Sequence, residues 1–199
     1  MRRLCETVIH DEAQAPPHAL GTCFAYLVEN NILNDLVSLC LPDEPLGILD
    51  EFLRMCTTLV RHIHVPWFLA NEGVAHALLQ LLRSCNKKQQ KPPGLVELVY
   101  ALCARIHQQP DTLRVLVQLG AQLPKERPAD RFPLMTCIVR HITMDGPSGR
   151  HMRTSLVWVM HALLTLGTNH RAAWPALYFD QATCSDLAKS LNELSLIHI

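Results

Sequence analysis

The sequence predicts an all-α protein: an α-solenoid of stacked helical hairpins of the armadillo or HEAT kind, with a compact multi-helix bundle as the alternative. Three observations predict it. Apolar residues recur at spacings of three and four almost throughout the 199 residues. No long run alternates apolar and polar side chains as a half-buried strand would. The 13 prolines fall mostly between the apolar stripes, where a first helical turn or a loop accepts a residue without an N–H.

Taken in order, helices are expected near 2–13, 18–29, 31–41, 45–64, 72–85, 94–108, 110–120, 131–143, 148–166 and 183–197. In "ILDEFLRMCTTLVRHI" the stripe runs through Ile48, Phe52, Met55, Cys56, Leu59, Val60 and Ile63. "VAHALLQLLRSC" repeats it through Val74, Leu78, Leu81 and Leu82, and "GLVELVYALCARIHQQ" through Val96, Val99, Leu102, Cys103 and Ile106. Pro66, Pro92–Pro93, Pro110, Pro133 and Pro147 punctuate the later elements. Ten helices on short turns suggest stacked hairpins forming one domain over residues 1–199. No strict period marks a tetratricopeptide or ankyrin array. The last helix carries Leu187, Leu191, Leu194 and Ile197 on one stripe without a polar outer face, so a further neighbour is expected there, either more chain or a partner protein.

With 49% hydrophobic residues, a sizeable core can form. The 18 basic and 18 acidic residues cancel, which gives no support for a nucleic-acid partner held by phosphate neutralisation or for a strongly basic membrane surface. No apolar run is long enough to span a bilayer. "MRRLCETVIHDEAQAPP" meets Glu6, Asp11 and Glu12 where a signal peptide needs an apolar stretch, so the chain is expected in the cytosol. Its eight cysteines are then expected to be reduced. None forms a CxxC pair, and most sit within apolar stripes, as small buried hydrophobes do.

"LVRHIHVPWF" is the most chemical-looking stretch. His62 and His64 stand two residues apart, which on a helix means roughly 200° apart around the axis. They cannot share a metal ion there, and the HExxH pattern is absent. Histidines at a helix end fit better, since donors suit a helix C-terminus. His107, His141, His151 and His161 are likewise expected as caps or surface residues. Neither GxSxG nor the P-loop pattern occurs. "DGPSGR" is expected to be a turn and helix start, with phosphate binding by Arg150 and Arg153 as the alternative. Asp50 and Glu51 are expected on a solvent face rather than as an acid–base pair. The loops "CNKKQQKPPG" at 85–94 and "GAQLPKERPADR" at 120–131 are expected to be solvated connectors, or contact sites. No catalytic, cofactor-binding or metal-binding residue is assigned, no protein-binding residue can be numbered, and the chain is not expected to be an enzyme.

Several segments in order resemble one family, the FTS- and Hook-interacting proteins, also called retinoic-acid-induced-16-like proteins. In "GTCFAYLVENNILNDLVSL", Cys23, Tyr26, Leu27, Ile32 and Leu33 match a C-x-x-Y-L…I-L pattern. In "EPLGILDEFLRMCTTLVRHIHVPWF", Pro45, Gly47 and Phe52 with the apolar stripe and Pro66 resemble the next helix. Pro110 and Leu113 follow. Phe132, Pro133 and Leu134 fill an F-P-L pattern, and Gly149 and Arg153 a G-x-x-x-R pattern. Two positions depart from the family: Met152 replaces a small residue and Arg150 an acidic one. The resemblance covers residues 18 to 165 and an N-terminal part of longer family members, so the chain is expected to be a fragment of a longer domain. It implies a non-catalytic adaptor that joins FTS and Hook homologues, and through Hook dynein–dynactin, to early-endosome cargo by way of a Rab GTPase. Peripheral association with early endosomes follows from that. The alternatives are a generic armadillo-like interaction module and a metal-dependent or hydrolytic protein using the His/Cys set.

Overall fold

The computed structural model describes residues 1–16, 20–65, 68–88, 92–122 and 132–169. Helices α1 (Arg2–Gln14), α2 (Thr22–Glu29), α3 (Ile32–Cys40), α4 (Ile48–His62), α5 (Glu72–Lys87), α6 (Gly94–Gln108), α7 (Asp111–Gln122), α8 (Pro133–His141) and α9 (Gly146–Asn169) follow in order. Among the described residues there is no strand. The expected helix at 183–197, Pro66 and most of the 120–131 loop lie outside them.

The helices form two rows. In one, α1 lies against α4, α4 against α6, and α6 against α9. In the other, α3 lies against α5, which packs on α7 and α8. The polar contacts fix the direction of each pair. Asp50 and Gly94 meet at the starts of α4 and α6, while His64 and Arg105 meet at their ends. Glu97 and His151 lie near the starts of α6 and α9, His107 and His161 further along. Asn34 meets Gly73 and His76 early in α3 and α5, and Lys88 meets Leu41 past their ends. The pairs α4–α6, α6–α9 and α3–α5 are therefore parallel. Stacked hairpins have that direction, and so do compact bundles with crossover connections, so both expected architectures fit. The core lies between the rows, with Phe24, Phe52, Leu53, Leu79, Leu98 and Leu134 fully enclosed.

Helix ends are tied by side chains from other helices. The first N–H groups of a helix lack partners within it and carry partial positive charge. Asp11 and Glu12 of α1 accept from the amides of Cys23 (2.7 Å) and Gly21 (2.9 Å) at the start of α2. Asp43 accepts from Gly47 and Leu49 at 2.9 and 3.0 Å, starting α4. Asp50 of α4 accepts from Gly94 N at 2.7 Å and so starts α6. The orphan carbonyls receive cations instead. Lys88 Nζ donates to Leu41 O at 2.7 Å, Arg140 donates to Asn86 O, and Arg153 donates to Ile142 O at 3.1 Å.

This stitching corrects three expectations. Asp50 is not a solvated carboxylate; it is mostly covered and shared between Gly94 N and Arg54. The first part of the 85–94 loop is helix, and Asn86 donates to Pro133 O at 3.0 Å while Lys88 is half-buried. Helix α4 starts at Ile48 rather than 45, because Asp43 fixes the amides of Gly47 and Leu49 and Gly47 turns the chain at φ +92°.

Cys5, Cys40, Cys56, Cys85, Cys103 and Cys137 are buried, and Cys23 is half-buried. Burial pushes the thiols up, Cys85 to about 11 and Cys103 to about 12, with Cys56 and Cys137 raised further still. They stay protonated and serve as packing groups.

Two outcomes are expected. Asp50→Ala should lower stability in urea denaturation by about 1–2 kcal/mol, with Asp50→Asn losing less because its amide oxygen still accepts; a variant as stable as the parent contradicts the capping role. The second concerns alkali. An unfolded thiol ionises near about 8.5, so the unfolded state gives up its protons before native Cys85 and Cys103 do. Stability should therefore be complete below about pH 8.5 and fall above it, by up to about 1.4 kcal/mol per pH unit for each thiol. Denaturation series at rising pH should show this slope, and Cys103→Ala should flatten it.

Candidate interaction surface

Helix α6 is apolar nearly all round. Leu95, Val96, Leu98, Val99, Ala101, Leu102, Cys103 and Ile106 are buried, and so is Arg105. Past its first turn, what reaches the surface is chiefly a stripe at helical spacing: Glu97, Tyr100, Ala104 and His107. Helix α9 runs parallel beside it and lays His151, Trp158 and His161 along the same seam.

The side chains form one continuous ladder. Arg61 of α4 pairs with Glu97 at 2.7 Å. His151 Nδ1 lies 3.3 Å from the other Glu97 oxygen. The His151 ring stacks on Tyr100 with centroids 4.2 Å apart, and Tyr100 meets Trp158 at 5.2 Å. Trp158 stacks on His107 at 5.5 Å, and His107 meets His161 edge-on at 5.7 Å. At the α4 edge, Arg105 is only 5% exposed. Its Nη1 lies 3.0 Å from His64 Nδ1, and its Nε has no hydrogen-bond partner. Desolvation lowers its pKa. A groove of about 430 Å³ adjoins the stripe between α4 and α6, with Arg54, Arg61 and Glu97 among its lining residues.

Among the described residues the histidines do not converge on one another as ligands. Both His62 and His64 are exposed, and His64 stands beyond the end of α4, where Ile63 is extended. Among the described residues no group of three His, Cys, Asp or Glu side chains is placed to hold a metal ion. His141 departs from the surface expectation: it is 2% exposed, with Nδ1 2.7 Å from Cys137 O. His107, His151 and His161 are surface groups, but they belong to the ladder rather than to helix caps.

"DGPSGR" forms the turn into α9. Pro147 takes the second helical position and Gly146 adopts φ +70°. Arg153 is engaged with Ile142 O, and Arg150 is exposed. The G-x-x-x-R spacing has a geometric basis here. A Cβ on Gly149 would stand 1.6 Å from Met144 O, so only glycine lets that carbonyl approach. Arg153, one helical turn later, holds the carbonyl of Ile142. Together they set where α9 begins, and hence which α9 side chains face α6.

Parallel helices with a stripe of stacked rings along one seam define the chain as an all-helical protein with a continuous side-chain ladder on one face. A family model described as retinoic acid induced 16-like protein matches residues 23–194. The chain belongs to that family, the one its sequence segments resemble. The match begins a few residues later than the resemblance and runs on past residue 165.

Gly149→Ala should destabilise the chain by about 2–4 kcal/mol in urea denaturation. Its wild-type stability would show that the turn accommodates a methyl group and that the spacing has another cause.

Proposed function

We propose that the chain is a non-catalytic adaptor scaffold that links Hook and FTS homologues, and through Hook dynein–dynactin, to early-endosome cargo. The observation that carries this is membership of the retinoic acid induced 16-like family across residues 23–194. The architecture supports it. Packed helices whose ends are tied by side chains present a continuous surface of the kind protein-binding scaffolds use. The polar groups support it as well. Asp11, Glu12, Asp43 and Asp50 hold helix starts, and six thiols are buried, so these groups serve structure rather than acid–base or nucleophilic chemistry.

No helix among the described residues is long and apolar enough to cross a membrane. Endosome contact in this proposal is peripheral and runs through a Rab GTPase, with the chain itself in the cytoplasm.

Affinity capture of the tagged chain from cell extract, probed for Hook and FTS homologues, tests the proposal. Recovery of both is expected. Recovery of neither, with the chain folded by circular dichroism, contradicts it.

A further inference from the structure

We propose that the stripe along α4, α6 and α9 is the docking site for an acidic segment of a partner protein, one that also carries apolar side chains. The inference rests on the scaffold function above and supplies the face and the partner chemistry.

Charge and hydrogen-bonding capacity point to an acidic partner. Donors outnumber acceptors along the ladder. Glu97 is the stripe's carboxylate; Arg61 pairs with one of its oxygens, and His151 Nδ1 stands 3.3 Å from the other without forming a hydrogen bond. The Tyr100 hydroxyl and the Trp158 indole N–H enter no hydrogen bond among the described residues; the contacts of both rings are with other rings and apolar neighbours. Tyr and Trp normally pair their polar ends when covered, so both offer a donor to an incoming acceptor.

Arg105 adds a second, independent observation. It is buried at the edge of the stripe, meets no carboxylate among the described residues, and leaves Nε without a partner there. A buried guanidinium without an anion is costly, and an anion brought alongside relieves that cost. The residue types agree, since Trp, Tyr and Arg dominate the energetically important centres of protein interfaces.

The flank of the stripe specifies the rest. One helical step across α9 lie Arg150, Val157 and Leu164, all exposed, the last two at 65% and 67%. An acidic segment with apolar side chains would place carboxylates over Arg61, Tyr100 and Trp158 and apolar groups over Val157 and Leu164. A polyanionic nucleic acid fits less well, because it gains nothing from that apolar flank and the chain carries no net charge.

The test uses the full chain and three labelled probes in fluorescence anisotropy: a peptide of alternating Glu and Leu blocks, the same peptide with Gln for Glu, and single-stranded RNA. The Glu peptide should bind at least tenfold tighter than the Gln peptide and should weaken as salt rises. The double variant Arg61→Ala/His107→Ala alters exposed positions and should lower that affinity at least tenfold with the helical spectrum unchanged. Trp158→Phe keeps the ring stack but removes the indole donor, and should weaken binding several-fold. No binding of the Glu peptide, equal binding of the Gln peptide, tighter binding of RNA, or indifference to the substitutions each overturns the proposal. The two proposals fail separately: peptide binding without capture of Hook and FTS homologues removes the adaptor function alone, and capture without peptide binding removes the docking site alone.

Discussion

The constraint on which the rest depends is that α6 has almost no face of its own to give to water. Leu95, Val96, Leu98, Val99, Ala101, Leu102, Cys103, Arg105 and Ile106 are buried over more than half of its circumference, so it must be covered from more than one side. The covering is supplied by α4 on one flank, α9 on the other, and α7 and α8 beneath. A helix flanked in this way by parallel neighbours makes a row, and a second row must close the core. Each helix end inside such a stack would strand backbone groups away from water. Carboxylates from preceding segments therefore meet the N-termini, and Lys88, Arg140 and Arg153 meet the carbonyls at the C-termini. Of the charged residues drawn into the fold, Asp50, Lys88 and Arg153 serve this stitching, while the buried Arg105 faces His64 instead.

Function follows from what the packing leaves over. A helix that must be buried on most sides can present only a narrow strip, and on α6 that strip is Glu97, Tyr100, Ala104 and His107. Parallel alignment with α9 sets a second strip beside it in register, so the rings stack along the seam instead of scattering over the surface. The turn held by Gly149 and Arg153 determines that register. In the scaffold function proposed above, this ladder of stacked rings is the surface the fold offers to a partner.

Much of this was legible in the sequence. Residues 94–108 were expected as a helix and form one over that span, because the apolar period is strong and Pro92–Pro93 fix the start. Non-local effects were not legible. Asp50 looks solvent-facing on its own helix, and only the placement of α6 above it makes it a cap. Lys88 and Asn86 read as loop residues until α3 and α8 come alongside. His141 sits at a helix end yet is buried by packing that no local pattern reveals. The ladder was missed because its rings come from helices far apart in the chain. A signal was nevertheless present, since Glu97, Tyr100 and His107 interrupt an otherwise apolar helix at helical spacing. The G-x-x-x-R spacing was visible, but its reason, a carbonyl approaching Gly149, is a matter of three-dimensional geometry.

The central claim is the parallel alignment of α4 and α6, and spin-label distances test it most directly. With Cys23 and Cys184 replaced by serine, nitroxides are placed at the exposed positions His107 and Glu51 in one sample, and at His107 and His62 in another. Parallel helices put the end of α4 beside the end of α6, so the His62–His107 distance should be the shorter, by on the order of 10 Å. A shorter Glu51–His107 distance would mean antiparallel helices and would contradict the stacked arrangement and the seam built on it.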